Sequence, residues 1–317
     1  MHRWLAVLFC LLAGLAHAAY PDKPIRFVIP SAPGGSPDVL MRILLAEMSK
    51  QMGVAFVVEN KPAASYVVGT MDIVRAPADG YTLGYGNIVS LAINRSLLDK
   101  VPYDVERDLT LISNCVRVYN MLAVNNNLPV RTVPELIAYA KQNPGRLSMG
   151  SGGNGTTGHL GGELFKSMTG TFILHIPYRG SAQAINDLVG GQIQLMFDNV
   201  PSIGPHVKAG RVRGIAVSGP RRSPVFPEIP TVAEAGVPGY ETIAWGGVIG
   251  PANLPKDIAA RLLAEIRTAL AAPALQERYR NLDTEIDGGT PEQFLALVRS
   301  ETPKWAGVIR RSGAKVD

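Results

Sequence analysis

Short apolar runs alternate with stretches in which apolar residues recur at helical spacing along most of the chain. The run Ile25–Ile29 predicts a buried strand, and residues 39–52, with apolar side chains three and four positions apart, predict a helix. Further strands are predicted at residues 56–59, 81–85, 121–124, 147–150, 172–176, 193–197 and 212–217. Strands and helices that alternate in this way form βαβ units, so we predict an α/β fold with mainly parallel sheets covered by helices on both faces.

Two four-residue segments have the sequence pattern of a helix N-terminus. Thr132-Val133-Pro134-Glu135 and Thr290-Pro291-Glu292-Gln293 both have the capping-box pattern, in which the first and fourth side chains bond each other's backbone N–H groups. A third helix is predicted at Lys256–Ala271, between two prolines. No internal repeat or low-complexity linker is visible, so any domain boundary must lie within the regular α/β pattern.

The first eighteen residues have the pattern of a secretory signal peptide. Arg3 supplies a positive charge, residues 5–16 form an apolar run, and Ala16-His17-Ala18 fits a cleavage site of small residues. Such a run is too short to span a membrane. Cys10 lies inside this run. We therefore predict an exported, periplasmic protein that begins near residue 19 and retains one cysteine, Cys115, which can form no internal disulfide.

Composition narrows the class of protein further. The chain has 317 residues, of which 46% are hydrophobic and 18% charged, and this apolar content excludes a disordered chain. Lys and Arg number 31 against 26 Asp and Glu, for a net charge of +5. Because the basic residues are dispersed and not interleaved with aromatic ones, we expect no nucleic-acid partner. A mild positive charge suits small anionic ligands.

Two glycine-rich turns stand where a strand gives way to a helix. The first includes Gly34, Gly35 and Asp38, with Ser36 as a plausible helix cap and Pro37 at the first helical position. Backbone N–H groups at such a turn, with the helix dipole behind them, form a site for a carboxylate or phosphate. A plain tight turn is the alternative.

The second turn runs from Gly150 to His159 and contains Gly153-x-Gly155-x-x-Gly158, the spacing of a dinucleotide-binding loop. No acidic residue follows at the distance needed to bind a ribose hydroxyl. A general anion site, with the hydroxyls of Ser151 and Thr156, fits these residues better than a nucleotide loop.

Three other residues are candidates for chemistry. His159 and Glu163 are four apart on a predicted helix, which could place two metal ligands on one face, but no third ligand is evident and we predict no metal. Asp198 ends a predicted strand, where α/β proteins present ligand-binding residues, and it could equally cap the next helix. No catalytic constellation emerges, so the residues favour a binding protein that closes on a small acid.

The chain resembles the receptors of tripartite tricarboxylate transporters, the Bug receptors of Gram-negative bacteria. The similarity covers almost all of the predicted mature chain in order. The matching segments include residues 21–26, 33–38, 58–62, 78–83, 102–104, 135–141, 155–160, 177–180, 197–199, 230–236 and 238–240, with Trp245 and Lys304-Trp305.

The resemblance implies a two-lobed periplasmic binding protein fold of type II, the Venus flytrap architecture. We expect lobe 1 at residues 19–122 plus 245–317 and lobe 2 at residues 123–244. The expected ligand-binding residues are Gly34, Gly35, Asp38, Ser65, Tyr66, Asn87, Ser90, Ser151, Gly155, Thr156, His159 and Asp198. In receptors that bind amino acids, the position of Asp198 can receive the ligand ammonium.

Departures from the family pattern point to an unusual ligand. After Lys61-Pro62 the family usually has Gly-Ala-Gly-Gly, whereas this chain has Ala63-Ala64-Ser65-Tyr66. Fewer glycines hinder close backbone approach, and a phenol is added that could fill or reshape the pocket.

We predict a monomeric receptor, without a cofactor or enzymatic activity, that delivers a small carboxylate to an inner-membrane permease. The ligand would be a dicarboxylate, an amino acid or an aromatic acid. The alternative is an exported α/β enzyme that uses Gly153–Gly158 as a phosphate loop.

Overall fold

A computed structural model describes residues 20–314, so the predicted signal peptide at residues 1–18 lies outside the described residues. The strands are β1 (Ile25–Ile29), β2 (Phe56–Asn60), β3 (Thr82–Asn87), β4 (Leu109–Val124), β5 (Ser148–Ser151), β6 (Leu174–Pro177), β7 (Leu195–Asn199), β8 (Arg213–Val217), β9 (Ile243–Pro251) and β10 (Thr284–Ile286). The α/β class predicted from the alternating pattern is confirmed.

Eleven α-helices are described between and after these strands. They are α1 (Ser36–Met52), α2 (Val67–Val74), α3 (Asn94–Leu97), α4 (Val105–Asp108), α5 (Val133–Gln142), α6 (Thr157–Thr169), α7 (Ser181–Val189), α8 (Val200–Lys208), α9 (Lys256–Ala271), α10 (Pro273–Asn281) and α11 (Pro291–Ser312). A 3₁₀ turn (Ala64–Tyr66) precedes α2, and a π-helical turn (Val89–Ile93) precedes α3. Among residues 20–314, none of the helices has both the length and the apolar character that a membrane crossing needs.

Strand β4 joins two parts of one sheet. Up to Tyr119 it pairs with β9, and from Asn120 onward it pairs with β7, with β8 also alongside its last residues. We call the first part segment A (β1, β2, β3, β9, β10 and the start of β4) and the second segment B (β5–β8 and the end of β4). The strand order is β2-β1-β3-β9-β4-β7-β5-β6, with β8 and β10 attached to β4.

The prediction of mainly parallel sheets needs a correction. Parallel pairs are found within each segment, between β1 and its neighbours β2 and β3 and between β5 and its neighbours β6 and β7. The pairs made by β4 and β9 are antiparallel. The chain leaves segment A along β4 and returns along β9, and two neighbouring strands that carry it out and back must run in opposite directions.

These two connecting strands are also the elements that the pattern underestimated. Only the last four residues of β4 were predicted, and β9 was not predicted at all. Polar residues, among them two asparagines, interrupt β4, and three glycines interrupt β9; asparagine and glycine are depleted in strands. Gly247 shows why: a Cβ there would lie 1.9 Å from the carbonyl oxygen of Ser113, so the close pairing of β4 with β9 requires glycine.

Segment A and segment B share part of their apolar core. One cluster of buried side chains contains Val28 of β1 and Ile73 of α2, which packs on segment A. The same cluster contains Phe197 of β7 and Phe165 of α6, which packs on segment B. Helix α11 contributes Trp305 to the same cluster, and its first turn has the predicted capping box between Thr290 and Gln293. The connection between the segments is therefore packed as well as covalent.

Candidate functional site

A cavity of about 520 Å³ lies between segment A and segment B. Its walls come from the loops that follow β1, β2, β5, β6 and β7, because the carboxyl ends of these strands all face it. In open α/β sheets, ligands bind at this edge. The cavity is thus where the strand order alone would place a ligand.

Four helices begin at this cavity. The first residues of α1, α6 and α7 line it directly, and Asp198-Asn199, which precede α8, line it as well. The first N–H groups of a helix have no carbonyl partner within the helix, and the helix dipole places partial positive charge there. Four such ends at one cavity make it a strong site for an anion.

The turn after β1 is held by an acidic side chain. Asp38 is buried, and its Oδ2 accepts a hydrogen bond from the N–H of Gly34 at 3.0 Å. Its Oδ1 accepts from Arg42 at 2.8 Å and from the amide of Asn60 at 2.9 Å. Gly35 lines the cavity, whereas Gly34 and Asp38 are placed behind it as its support.

The turn after β5 is held by two histidines. His159 Nδ1 accepts a hydrogen bond from the N–H of Gly155 at 3.0 Å, and His175 Nε2 lies 2.7 Å from the Ser151 hydroxyl. Thr156 lines the cavity and caps α6 by accepting from the N–H of His159. Ser151, Gly155 and His159 are therefore placed in the support of the turn, while Thr156 faces the cavity.

The histidine pair is neutral over the ordinary pH range. The two rings stack with centroids 4.0 Å apart. Burial lowers the pKa of His159 to about 3, with further contributions from His175 and Lys166, and lowers that of His175 to about 4. Neutral imidazoles can accept backbone N–H groups, which imidazolium rings cannot.

His175 supplies the third residue that the sequence did not show beside His159 and Glu163. Ligand atoms of the three lie within 4.8 Å of one another. Stacked rings direct their in-plane lone pairs side by side and do not converge them on one point, and Lys166 Nζ already lies 2.6 Å from Glu163 Oε1. The cluster has the geometry of a support for the turn and does not have that of a metal site.

The loop after β2 holds two non-glycine residues in the left-handed region. Ser65 has φ 53° and Tyr66 has φ 62°, a conformation that costs of order 1–3 kcal/mol for such residues. Asn94 holds the loop by donating to the Ser65 carbonyl at 2.8 Å. Ser65 and Tyr66 both line the cavity, and burial raises the pKa of Tyr66 to about 12. These are the positions at which the family pattern has glycines.

Asn87 and Ser90 are placed deeper than the cavity wall. The Asn87 Oδ1 accepts from the N–H groups of Val89 and Ser90, and the Ser90 hydroxyl accepts from the N–H of Asn87 at 3.1 Å. They close the π-helical turn. Asn87 also lies beside the Tyr66 hydroxyl and hydrogen bonds to it, which counters part of the rise in the pKa of Tyr66.

Asp198 is the acidic residue of the cavity wall. Its Oδ1 accepts from the Ser181 hydroxyl at 2.8 Å, and its Oδ2 is buried with no partner of hydrogen-bond geometry among the described residues. Burial raises the pKa of Asp198 to about 7, although the Ser181 hydroxyl bonded to Oδ1 and the nearby Asn199 N–H and Ser202 hydroxyl lower it. The end of β7 presents this carboxyl group to the cavity.

Loops of segment A and segment B come into close contact beside the cavity, and two of these contacts involve lining residues. The Ser65 hydroxyl lies 3.4 Å from the carbonyl oxygen of Asn154, to which it donates. At the other point, a Cβ on Gly180 would lie only 2.6 Å from the Ala32 Cβ. The cavity is therefore bounded on both sides by contacts between the two segments.

Sequence reasoning assigned no role to Gly180 and Ser181, although both line the cavity. Gly180 makes the close contact with Ala32, and Ser181 starts α7 and bonds Asp198. A signal was present, because Gly-Ser follows a predicted strand and precedes a helix, as at the first turn.

Comparisons with known proteins identify the family of this chain. The model of the tripartite tricarboxylate transporter family receptor matches residues 40–314. BugT of Bordetella pertussis (strain Tohama I) is 35% identical over 323 residues, with 100% of this chain and 99% of BugT covered. The structure of R. palustris Rpa4515 with adipate has a TM-score of 0.91 and 36% identity, and covers 94% of this chain and 100% of that one.

A second structure, MatC from Rhodopseudomonas palustris with bound malate, has a TM-score of 0.87 and 26% identity over 92% of this chain and all of that one. The predicted resemblance to Bug receptors and the predicted periplasmic binding protein fold are confirmed. The alternative of a nucleotide-using enzyme is set aside by the family match. The chain belongs to the tripartite tricarboxylate transporter receptor family, whose members are periplasmic substrate-binding receptors and not enzymes.

Proposed function

We propose that this protein captures a small carboxylate in the cavity between segment A and segment B. The observation that carries the proposal is the convergence of four helix N-termini on one cavity. Their unpaired N–H groups and partial positive charge bind a carboxylate without a basic side chain. Arg179 is the single cationic residue among the lining residues, and it is exposed.

The size and walls of the cavity suit a small organic acid. A volume of about 520 Å³ is in the range of pockets for small metabolites. Adipate and malate are the ligands in two similar structures, both dicarboxylates. The class proposed here comprises dicarboxylates, amino acids and aromatic acids; an amino acid would place its ammonium on Asp198, and an aromatic acid would pack against Tyr66.

We further propose that the ligand is held by closure of two lobes, with lobe 1 at residues 19–122 plus 245–317 and lobe 2 at residues 123–244. The change of partners along β4 at Tyr119 and Asn120, and the start of β9 at Ile243, support this division. The contacts Ser65–Asn154 and Ala32–Gly180 would then be made on closure. The protein would act as a monomer.

Delivery is the last part of the proposal. The protein would be exported by its signal peptide and would pass its ligand to the permease subunits of the transporter in the inner membrane, as the family implies. Deletion of the gene should abolish uptake of the identified ligand by cells. Unchanged uptake would contradict a role in transport and would favour a role in signalling.

A thermal-shift screen tests the binding function directly. Adipate, malate, aspartate, benzoate and NADP would be added to the protein, and at least one carboxylate should raise its Tm, because binding to the folded state stabilises it. Stabilisation by NADP and by no carboxylate would overturn the proposal.

A pair of variants at Gly35 tests whether the helix ends hold the anion. Gly35 has φ −76° and ψ 165°, which any residue can adopt, and a Cβ there would be no closer than 3.7 Å to its neighbours. Gly35→Asp places a competing carboxylate at the N-terminus of α1 and should weaken binding of the carboxylate at least tenfold. Gly35→Asn has the same shape without the charge and should weaken it much less. Equal losses in the two variants would contradict an electrostatic anion site.

A further inference from the structure

Asp198 brings an acidic side chain into a cavity whose helix N-termini attract anions. It is the single acidic residue among those that line the cavity, and it lies beside the N-termini of α7 and α8. One carboxyl oxygen is satisfied by Ser181, while Oδ2 is buried without a partner. A buried polar atom without a partner is rare in folded proteins, and an atom in the wall of a cavity can be satisfied by a ligand.

A second carboxylate in the same cavity creates an electrostatic conflict. Two carboxylates that share a desolvated site cannot both be ionised, and the pair resolves this by holding one proton between them. The ligand carboxylate is the group favoured in ionised form, because the helix ends stabilise it. The proton therefore belongs on the side chain of the protein.

We infer that the cavity binds its carboxylate ligand together with one proton from solution, which the Asp198 carboxyl group holds and donates in a hydrogen bond to a ligand oxygen. This inference rests on the proposed function and specifies its ligand class. The ligand presents an oxygen acceptor to Asp198, as a second carboxylate does, and no ammonium group. Binding then depends on pH because it is linked to protonation.

The two phenols around Asp198 do not change charge in the range where it does. Tyr66 faces it from the loop after β2 and Tyr178 lies in the loop after β6; burial raises the pKa of each phenol to about 12. Asp38, at the start of α1, is already bonded to Arg42, Gly34 and Asn60.

The remaining elements packed on Asp198 add no group that titrates near neutrality. Met121 of β4 is its strand partner, α8 contributes the hydroxyl of Ser202, and α6 begins with Thr157. The Arg179 guanidinium lines the cavity. The histidine pair behind the second turn is neutral above a pH of about 4. Burial raises the pKa of Asp198 itself to about 7, and the ligand carboxylate beside it raises that pKa further on binding.

Isothermal titration calorimetry with adipate, malate and aspartate tests the inference. Titrations would run between about pH 6.5 and pH 9, where the free diacids are dianions, in two buffers with different enthalpies of ionisation. For adipate or malate we expect the uptake of close to one proton per ligand at about pH 8, and a dissociation constant that rises about tenfold per pH unit above pH 7.

Two variants isolate the side chain. Asp198→Asn keeps the shape and supplies an N–H donor that does not titrate, so it should bind the same diacid with no proton uptake and with a flat pH profile. Asp257 is an exposed acid in the first turn of α9, and Asp257→Asn should keep the full pH dependence of the original protein.

The possible outcomes separate the inference from the proposed function. If a diacid binds equally well at every pH and without proton uptake, the inference is wrong and the proposed function stands. If aspartate binds most tightly and without proton uptake, Asp198 receives an ammonium and the inference is again wrong. If none of the three acids binds at any pH, the inference fails together with the dicarboxylate and amino-acid forms of the proposed function.

Discussion

Two turns face each other across the cavity. Each presents a helix N-terminus to it, but one turn is held by a charged side chain and the other by neutral ones. Each follows a parallel strand and starts a helix, α1 in one case and α6 in the other. The turn after β1 is held by the acidic side chain of Asp38, which is paired with Arg42. The turn after β5 is held by His159 and His175, which are neutral.

The difference shows that a helix N-terminus can be supported without losing its attraction for anions. At the first turn, the negative charge near the start of α1 is balanced by Arg42, so the pair adds little net charge. At the second turn, neutral acceptors satisfy Gly155 and Ser151 and leave the partial positive charge at the start of α6 uncompensated. The two turns should therefore differ in how they respond to substitution and to acid.

Asp198, which lies between the two turns, should show the largest effect. Its pKa is raised from 3.8 to about 7, so the folded protein holds a proton there that the unfolded chain loses as pH rises. Folding stability therefore falls between about pH 4 and pH 7 by up to about 4 kcal/mol. Asp198→Asn should remove this loss and raise the free energy of unfolding at about pH 8.5, measured by urea denaturation without ligand.

Near pH 3 the same variant should be close to the original protein, because Asp198 is then mostly neutral in both states. Asp257→Asn is the control, and because its side chain is exposed it should change the free energy of unfolding by less than about 1 kcal/mol at either pH. An unchanged free energy of unfolding for Asp198→Asn at alkaline pH would contradict the buried, unpaired state of this carboxyl group.

Substitution of Asp38 tests the charged support of the first turn. Asp38→Ala leaves the Gly34 N–H and the Asn60 amide without their acceptor inside the protein and should cost about 3 kcal/mol of stability. Urea denaturation would measure the loss, with Asp257→Ala as a matched exposed control. A loss no larger than that of the control would show that water replaces Asp38 and that the turn does not depend on it.

Acid should destabilise the second turn. The pKa of His159 is lowered from 6.5 to about 3, so the unfolded chain binds a proton in this range that the folded protein does not. Stability due to His159 is present above about pH 6.5 and falls as pH decreases, by about 2 kcal/mol at pH 5. His175, with its pKa lowered to about 4, adds to the same loss.

His159→Asn offers a non-titrating acceptor near the position of Nδ1 and should remove part of the loss of folding stability at low pH, which we call the acid limb. Thermal denaturation across about pH 4.5 to pH 7.5 would compare it with the original protein. If the acid limb is as steep in His159→Asn as in the original protein, the imidazole is not the group that responds.

The smallest effect is expected at the contact between the turn after β1 and the loop after β6. Gly180→Ala places a Cβ 2.6 Å from the Ala32 Cβ and should hold segment A and segment B apart, weakening ligand binding about tenfold, or about 1.4 kcal/mol. Gly180 has φ 141°, a backbone conformation that favours glycine, so alanine at this position is also strained. Ala32→Gly in the same chain removes the clash and should restore part of the affinity, measured by calorimetry. Without any recovery, the contact would not be what limits binding.

Local signals predicted the elements that local interactions determine. Helix α9 was predicted at its observed bounds, and α5 and α11 start at the predicted caps Thr132 and Thr290. The capping box is complete at Thr290, whereas at the other helix Glu135 accepts from the N–H of Arg131 and not from that of Thr132. Strand β1 was predicted residue for residue. Caps and apolar periodicity involve residues close in the chain, so the sequence alone reveals them.

The support of the site could not be predicted in the same way. His175 is sixteen residues from His159, and nothing in their spacing shows that the rings stack or that they hold Ser151 and Gly155. The residues chosen at the first turn were right in position, yet only the fold shows that Gly35 faces the cavity while Asp38 stands behind it.

By itself the sequence determined the α/β class, the family and the two glycine-rich turns, because periodicity, caps and contiguous motifs are written within short stretches of chain. Only the tertiary structure decided the mixed sheet, the convergence of a third and a fourth helix N-terminus on the cavity, and the unpaired oxygen of Asp198. Those features depend on which distant strands pair and on which side chains lose contact with water. Pairing and burial are properties of the packed chain, and no single stretch of it records them.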